Sequence, residues 1–258
     1  MLNNLCQASW QHQKKIQKST EFLLQKFGIS YFGMQRITAE GRWSLVTNNP
    51  VWVEHCASEK FYQHDPTLVH PAHYDAGVTF ISAHRNPEFR DSLLKTAADQ
   101  FDMDHCLAIV DKNGQDAEFA FFATSCSNAN IVGTYVSQFN ALREFVRYFK
   151  AEHRQVFECA EEQGVDLAGL KQDAYFDNEN VVSCAPGSAG NNADPVYDSL
   201  SLRERQCLHY LLEGNTAKEI ARYLDLSYRT VEEYIANLKE KSGCRYLHDL
   251  FVLFKDRL

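Results

Sequence analysis

The spacing of apolar and polar positions changes character several times along the chain. It predicts a helix over Ser9–Phe27, β-like runs at Tyr31–Thr38 and Trp43–Thr47, a helix over Val51–Gln63, and a turn at Asp65-Pro66. Val78–Ser82 reads as extended, and Pro87–Phe101 as a helix with Pro87 in its first turn, where a missing N–H costs nothing. Cys106–Val110 and Phe119–Thr124 pair across Asp111–Gly114, the pattern of an antiparallel hairpin. A long helix is expected over Asn128–Glu162, with Tyr135, Phe139, Leu142, Val146 and Phe149 forming one apolar stripe. Such a stripe fits packing on a sheet, and its distal part equally fits pairing of two subunits.

The stretch Ser183–Pro195 is rich in Gly, Ala, Ser, Asn and Pro and lacks apolar periodicity, so it reads as a linker. Beyond it the local signals are dense. Ser201-Leu-Arg-Glu204 has the form of a capping box opening a helix with Cys207, Leu208, Leu211 and Leu212 on one face, closed by Gly214. Thr216-Ala-Lys-Glu219 repeats that form before Ile220, Ala221 and Leu224. Asp225-Leu226 makes a turn, and Ser227 caps a third helix carrying Val231, Ile235 and Leu238, which stops at Gly243. A fourth helix is expected over Tyr246–Phe254. The expected division is therefore 1–172, a linker over 173–196, and 197–258, in the α+β class: a mixed N-terminal domain followed by an all-α one.

Composition narrows the function classes. With 45% hydrophobic and 23% charged residues, the 258-residue chain is of ordinary globular usage. It shows no apolar run of membrane-spanning length and no secretory leader, so a soluble, cytoplasmic protein with no membrane partner is expected. Eight cysteines are spread without a CxxC, which reads as reduced thiols. His70-Pro-Ala-His73 beside His64 lacks the carboxylate or thiol set of a metal site. No nucleophile–base pair or phosphate-binding glycine loop is visible, so no enzyme, cofactor, catalytic residue or metal is expected.

The net charge of −8 belongs wholly to the first 195 residues, which hold 16 basic against 24 acidic residues, while the remaining 63 hold ten of each. The tail is thus free of the acidity that would repel phosphate. Two short helices joined by a tight turn, with a third closing the core, have the geometry of a helix-turn-helix. Helix N-termini at Thr216 and Ser227 suit phosphates, with Lys218, Arg222, Arg229, Lys239 and Lys241 adding positive charge. Arg229, Thr230, Glu233 and Asn237 lie where a recognition helix reaches base edges. Glu232 and Glu233 weaken a non-specific phosphate grip and shift weight to base readout.

Leu200-Ser-Leu-Arg-Glu204, Leu211-Leu-Glu-Gly214, Lys218-Glu-Ile-Ala221, Leu226-Ser227, Thr230-Val231, Asn237-Leu-Lys239 and Lys241-Ser-Gly243 resemble, in order and spacing, the DNA-binding domain of LuxR-type transcription regulators. Tyr234 stands where that family usually has His, and Glu232-Glu233 where basic or polar residues are common. An N-terminal phosphoacceptor receiver does not fit, because the first 40 residues contain only Glu21 and Glu40 as acids. Trp52, Asp65-Pro66, Phe80, the helix Pro87–Phe101 and the following hairpin instead resemble the autoinducer-binding domain of quorum-sensing members.

That resemblance implies an α-β-α sandwich around an antiparallel sheet, with a pocket for an acyl-homoserine lactone. Carried over, Trp52 would donate its indole N–H to a ligand carbonyl and Asp65 would accept from a ligand amide, as their chemistry allows. Cys56, Phe80 and Cys106 occupy the positions of the family's Tyr, Trp and Gly. The family also implies a homodimer on a palindromic double-stranded operator, with RNA polymerase as a further partner. Two alternatives stand beside it: an orphan regulator that needs no ligand, and an interaction module that dimerises with a DNA-binding relative.

Overall fold

The computed structural model describes residues 2–84, 86–128, 130–176, 196–197, 199–213, 215–244 and 247–254. The expected linker falls mostly outside them, over 177–195, as do Gly214 and Tyr246, the expected end and start of two tail helices. The chain divides into two compact units, residues 1–128 with 143–184, and residues 129–142 with 185–258.

The N-terminal unit is built on six strands: β1 (Tyr31–Ile37), β2 (Arg42–Thr47), β3 (Gly77–Phe80), β4 (Asp104–Asn113), β5 (Asp116–Thr124) and β6 (Val165–Asp166). They lie in the order β3-β4-β5-β1-β2-β6, every neighbouring pair antiparallel. The expected hairpin forms with longer strands, because pairing continues through Asp111–Glu118 and Lys112–Ala117 to Asn113–Asp116. β6, too short to carry a periodic signal, was not expected; it adds Val165 beside Trp43 at the sheet edge.

Helices cover both faces. α1 (Gln7–Gln11) and α2 (Gln13–Phe27) replace the single first helix, with a break at His12. The second helix, α3 (Pro50–Ser58), ends early because Lys60 turns left-handed at φ 58° before a single tight turn at Phe61–Gln63. Pro87–Phe89, the π-helical turn Arg90–Leu94 and Lys95–Phe101 run on as α4. The expected long helix is three: α5 (Ile131–Ser137), which falls in the C-terminal unit, then α6 (Phe139–Glu152) and α7 (Arg154–Glu162). The second break has a visible cause. His153 turns inward to full burial, its Nε2 2.9 Å from Ser19 Oγ, and its carbonyl accepts from the amides of both Val156 and Phe157.

Strand alternation gives the sheet two different faces. On one, Phe32 meets Phe122, Phe145 and Phe149 at ring centroid separations of 4.8 to 5.1 Å, fixing α6 against the sheet. The other face carries Tyr31, Gln35 and Ile37 of β1 with Trp43 and Leu45 of β2, and α3 and α4 pack over it through Trp52, Phe89 and Ala97. The α8 turn (Leu167–Lys171) closes this unit, capped by Asp166.

The C-terminal unit holds α9 (Leu202–Leu212), α10 (Ala217–Leu224), α11 (Tyr228–Ser242) and α12 (Leu247–Phe254). Both predicted capping boxes form: Ser201 and Glu204, and Thr216 and Glu219, exchange side-chain and backbone bonds. Ser227 Oγ accepts from Thr230 N at 3.0 Å and starts α11, and Gly243, left-handed at φ 67°, ends it. Cys207, Leu208, Ile220, Val231, Leu238 and Phe254 form the buried core.

Candidate functional site

A cavity of about 130 Å³ opens between the Gln35 face of the sheet and helices α3 and α4. Four of the five residues expected there from sequence, Trp52, Cys56, Asp65 and Cys106, line it; Phe80 does not. β3 explains the exception. Thr79 pairs with Ala108, which lies on the cavity face, so Phe80, opposite Leu107, points to the other side of the sheet. Cys106 reaches the cavity two residues before Ala108, within a bulge between Asp104 and Leu107 in which His105 adopts φ 54°.

Four polar residues of the cavity form a directed chain. The Trp43 indole N–H donates to Gln35 Oε1 at 3.3 Å, and Gln35 Nε2 donates to the Thr67 carbonyl at 3.1 Å and the Thr67 hydroxyl at 3.4 Å. The Thr67 hydroxyl and amide then both donate to Asp65 Oδ1, at 2.7 and 2.8 Å. This chain fixes the carboxylate and leaves Oδ2 as its unengaged acceptor among the described residues. Burial raises the Asp65 carboxyl above its usual range, opposed by the Thr67 bonds and the nearby charges of Lys171 and His84. Trp52, 6% exposed, holds its ring edge-on to Phe101 at 4.8 Å, and its indole N–H has no acceptor among the described residues. The cavity thus sets the Trp52 donor and the Asp65 acceptor in a wall that is mainly apolar and also carries the hydroxyls of Tyr31, Tyr62 and Ser82. Burial pushes the Cys56 and Cys106 thiols up, which makes them neutral packing groups rather than nucleophiles.

Sequence reasoning missed Tyr31, Gln35, Trp43 and Thr67 as cavity residues. A faint signal existed: Gln35 is a lone amide on the inward face of an apolar strand, and Gly33 stands two residues before it. A β-carbon at Gly33 would lie 2.7 Å from Tyr31 Oη, so glycine lets that ring fold along its own strand. The histidine cluster serves locally. His70 Nδ1 accepts from Ala72 N at 3.2 Å, and His64 pairs with Glu88 at 2.8 Å.

The second candidate surface is the outer side of α10 and α11. Thr216, Lys218, Arg222, Arg229, Glu233 and Asn237 are exposed, and Thr230 and Lys239 partly so. Positions 229, 233 and 237 follow one another at steps of four along a single face of α11, with Thr230 beside them. Arg229 Nε bonds to Glu233 Oε1 at 3.4 Å, so two expected base readers are partnered with each other. Thr216 serves as a helix cap through its hydroxyl. Lys241 is differently placed. Its Nζ lies 2.7 Å from Glu204 Oε2, a carboxylate 3% exposed that also accepts from Ser201 N at 2.7 Å, so this lysine is committed to holding α9 and α11 together. Desolvation opposes ionisation of Glu204, yet bonds from Lys241 and Ser201 and the lysine charge hold its carboxyl below the usual range.

Among the described residues no helix is long and apolar enough to cross a membrane. Residues 198–254 match the family of bacterial regulatory proteins called the luxR family. The chain is 39% identical over 54 residues to the DNA-binding transcriptional activator EvgA of Escherichia coli strain K12 and, equally, to that of Shigella flexneri. The match covers 21% of this chain and 26% of each relative, so the chain spans about a quarter of their length. Two solved structures align over 94% of the chain at 16% identity. They are Escherichia coli SdiA, with 90% of that chain covered and a TM-score of 0.35, and SdiA in complex with octanoyl-rac-glycerol, with 87% covered and a TM-score of 0.36.

Proposed function

From a C-terminal domain that belongs to the LuxR family of bacterial regulatory proteins, we propose that this chain is a DNA-binding transcription regulator whose N-terminal cavity takes a small-molecule signal. The observation that carries the reading is the helix-turn-helix of α10 and α11. It leaves Arg229, Thr230, Glu233 and Asn237 outward on one face, while the core beneath is closed by Ile220, Val231 and Leu238. Arg229 suits guanine, Asn237 adenine, and Glu233 the cytosine amino group. Thr216, Lys218, Arg222 and Lys239 surround that face as phosphate contacts. Lys241 leaves the set, since its charge is engaged by Glu204.

The regulator acts as a homodimer on a palindromic duplex, its half-sites about one helical turn apart. In the cavity, Trp52 donates to a ligand carbonyl and Asp65 Oδ2 accepts an amide N–H, as in an acyl-homoserine-lactone-like molecule, with Cys56 and Cys106 as neutral wall. The test is selection of duplexes from a random library by the purified full chain, with and without N-acyl-homoserine lactones. A palindrome is expected, lost on deletion of residues 196–258. The balanced charge of α11, with Glu232, Glu233 and Glu240 against three basic residues, favours a second reading in which this face meets a protein relative. Absence of any enriched duplex would transfer the function to that reading.

A further inference from the structure

Two hollows in the N-terminal unit share one residue. Asp65 lines the inner cavity of about 130 Å³ and also an outer cleft of about 540 Å³, walled by Gln63, His64, Asn86, Glu88 and Lys171. The outer one is the more polar of the two. Around Trp52 and Asp65 the inner wall is mainly hydrocarbon and aromatic, with Leu45, Val53, Ile81 and Phe89 contributing. The outer wall carries amide, imidazole, carboxylate and ammonium groups beside Pro66, Val69, Leu170 and Ala174, and two of its polar groups, His64 and Glu88, are already paired at 2.8 Å.

Size then limits what the inner chamber takes. A dry cavity of about 150 Å³ accommodates one benzene ring, so this one admits an apolar body of about that bulk. Its wall is made of side chains shielded from solvent, Phe89 at 1% exposure and Ala97 and Met103 each at 7%. A hydrocarbon chain running the other way, past Asp65, would desolvate the charged and amide groups of the cleft without replacing their hydrogen bonds.

We propose that this unit selects a compact amide: an apolar head of about one ring fills the inner cavity, the amide meets Trp52 and Asp65, and a polar substituent leaves past Asp65 through the outer cleft. The proposal rests on the reading of the cavity as a ligand site, and it adds that long acyl chains are rejected. Asp65 is the residue the two hollows share, and the chain Trp43–Gln35–Thr67 fixes it there.

The experiment measures binding to the full chain, by calorimetry and thermal unfolding, of N-(2-hydroxyethyl)benzamide and of N-butanoyl- and N-dodecanoyl-homoserine lactone. The two compact amides are expected to bind at least about tenfold more tightly than the dodecanoyl compound. Met103→Ala, or Leu93→Ala should the first not fold, enlarges the inner wall and is expected to erase that preference. Equal or tighter binding of the dodecanoyl compound by the unaltered chain would overturn the compact-ligand proposal and leave the cavity a ligand site. No binding of any of the three would overturn both.

Discussion

The two units put their polar side chains to opposite uses. In the C-terminal unit such groups close helix ends: Ser201, Glu204 and Lys241 satisfy one another, and what remains inside is apolar. In the N-terminal unit Trp43, Gln35, Thr67 and Asp65 run in a chain that ends on a carboxylate oxygen beside a void. On the proposed reading, the contrast teaches that a surface which reads an external molecule is served by a satisfied interior, whereas an interior that is to admit one keeps a donor and an acceptor unmatched.

The sharpest way to break the contrast is a matched pair of core truncations. Ile220→Ala, at a fully buried position of the C-terminal unit, is expected to cost about 3 kcal/mol in a denaturant titration. Met103→Ala is expected to cost markedly less, because a side chain that borders a cavity has fewer packing contacts to lose. Equal losses would mean that the N-terminal cavity is not a real void.

Next in size is Arg229→Ala, expected to remove about 1–3 kcal/mol of discrimination between the selected duplex and one altered at the contacted base, read from binding isotherms. Lys241→Ala should instead lower stability while leaving the affinity of the folded protein for that duplex unchanged. A fall in affinity as large as that of Arg229→Ala would return Lys241 to the DNA-contact set.

The C-terminal unit should also carry an acid signature. Because the Glu204 carboxyl is held below its unfolded value of about 4.3, its contribution is full above that pH and fades as pH falls through the folded value. Thermal unfolding followed from pH 6 to pH 3 should show this loss, and Glu204→Gln should flatten it. The smallest effect concerns the cavity donor. Trp52→Phe is expected to weaken compact-amide binding by about fivefold while leaving duplex binding of the ligand-free protein as it was.

How far each unit was legible in the sequence follows from the reach of its interactions. The capping boxes at Ser201 and Thr216 and the stop at Gly243 act within one helical turn, so spacing alone placed three tail helices. The pairing of Lys241 with Glu204 joins residues 37 apart, and no local pattern announces it. Likewise Gln35 finds Thr67 across 32 residues, and His153 breaks a continuous apolar stripe because of Ser19, far away in sequence. Trp52 and Asp65 were placed by resemblance and do line the cavity, while Phe80 fell on the wrong side by one step of strand parity.

The balance of charge on α11 has a consequence in time rather than in affinity. Three acids answer three bases along that helix, and Arg229 already holds Glu233 in the free protein. On the proposed reading the acids loosen its grip on arbitrary sequence, so its stays there are brief, while Lys218, Arg222 and Lys239 set the dependence on salt. It would search by many short visits, and linger only where a base edge draws Arg229 away from its own helix.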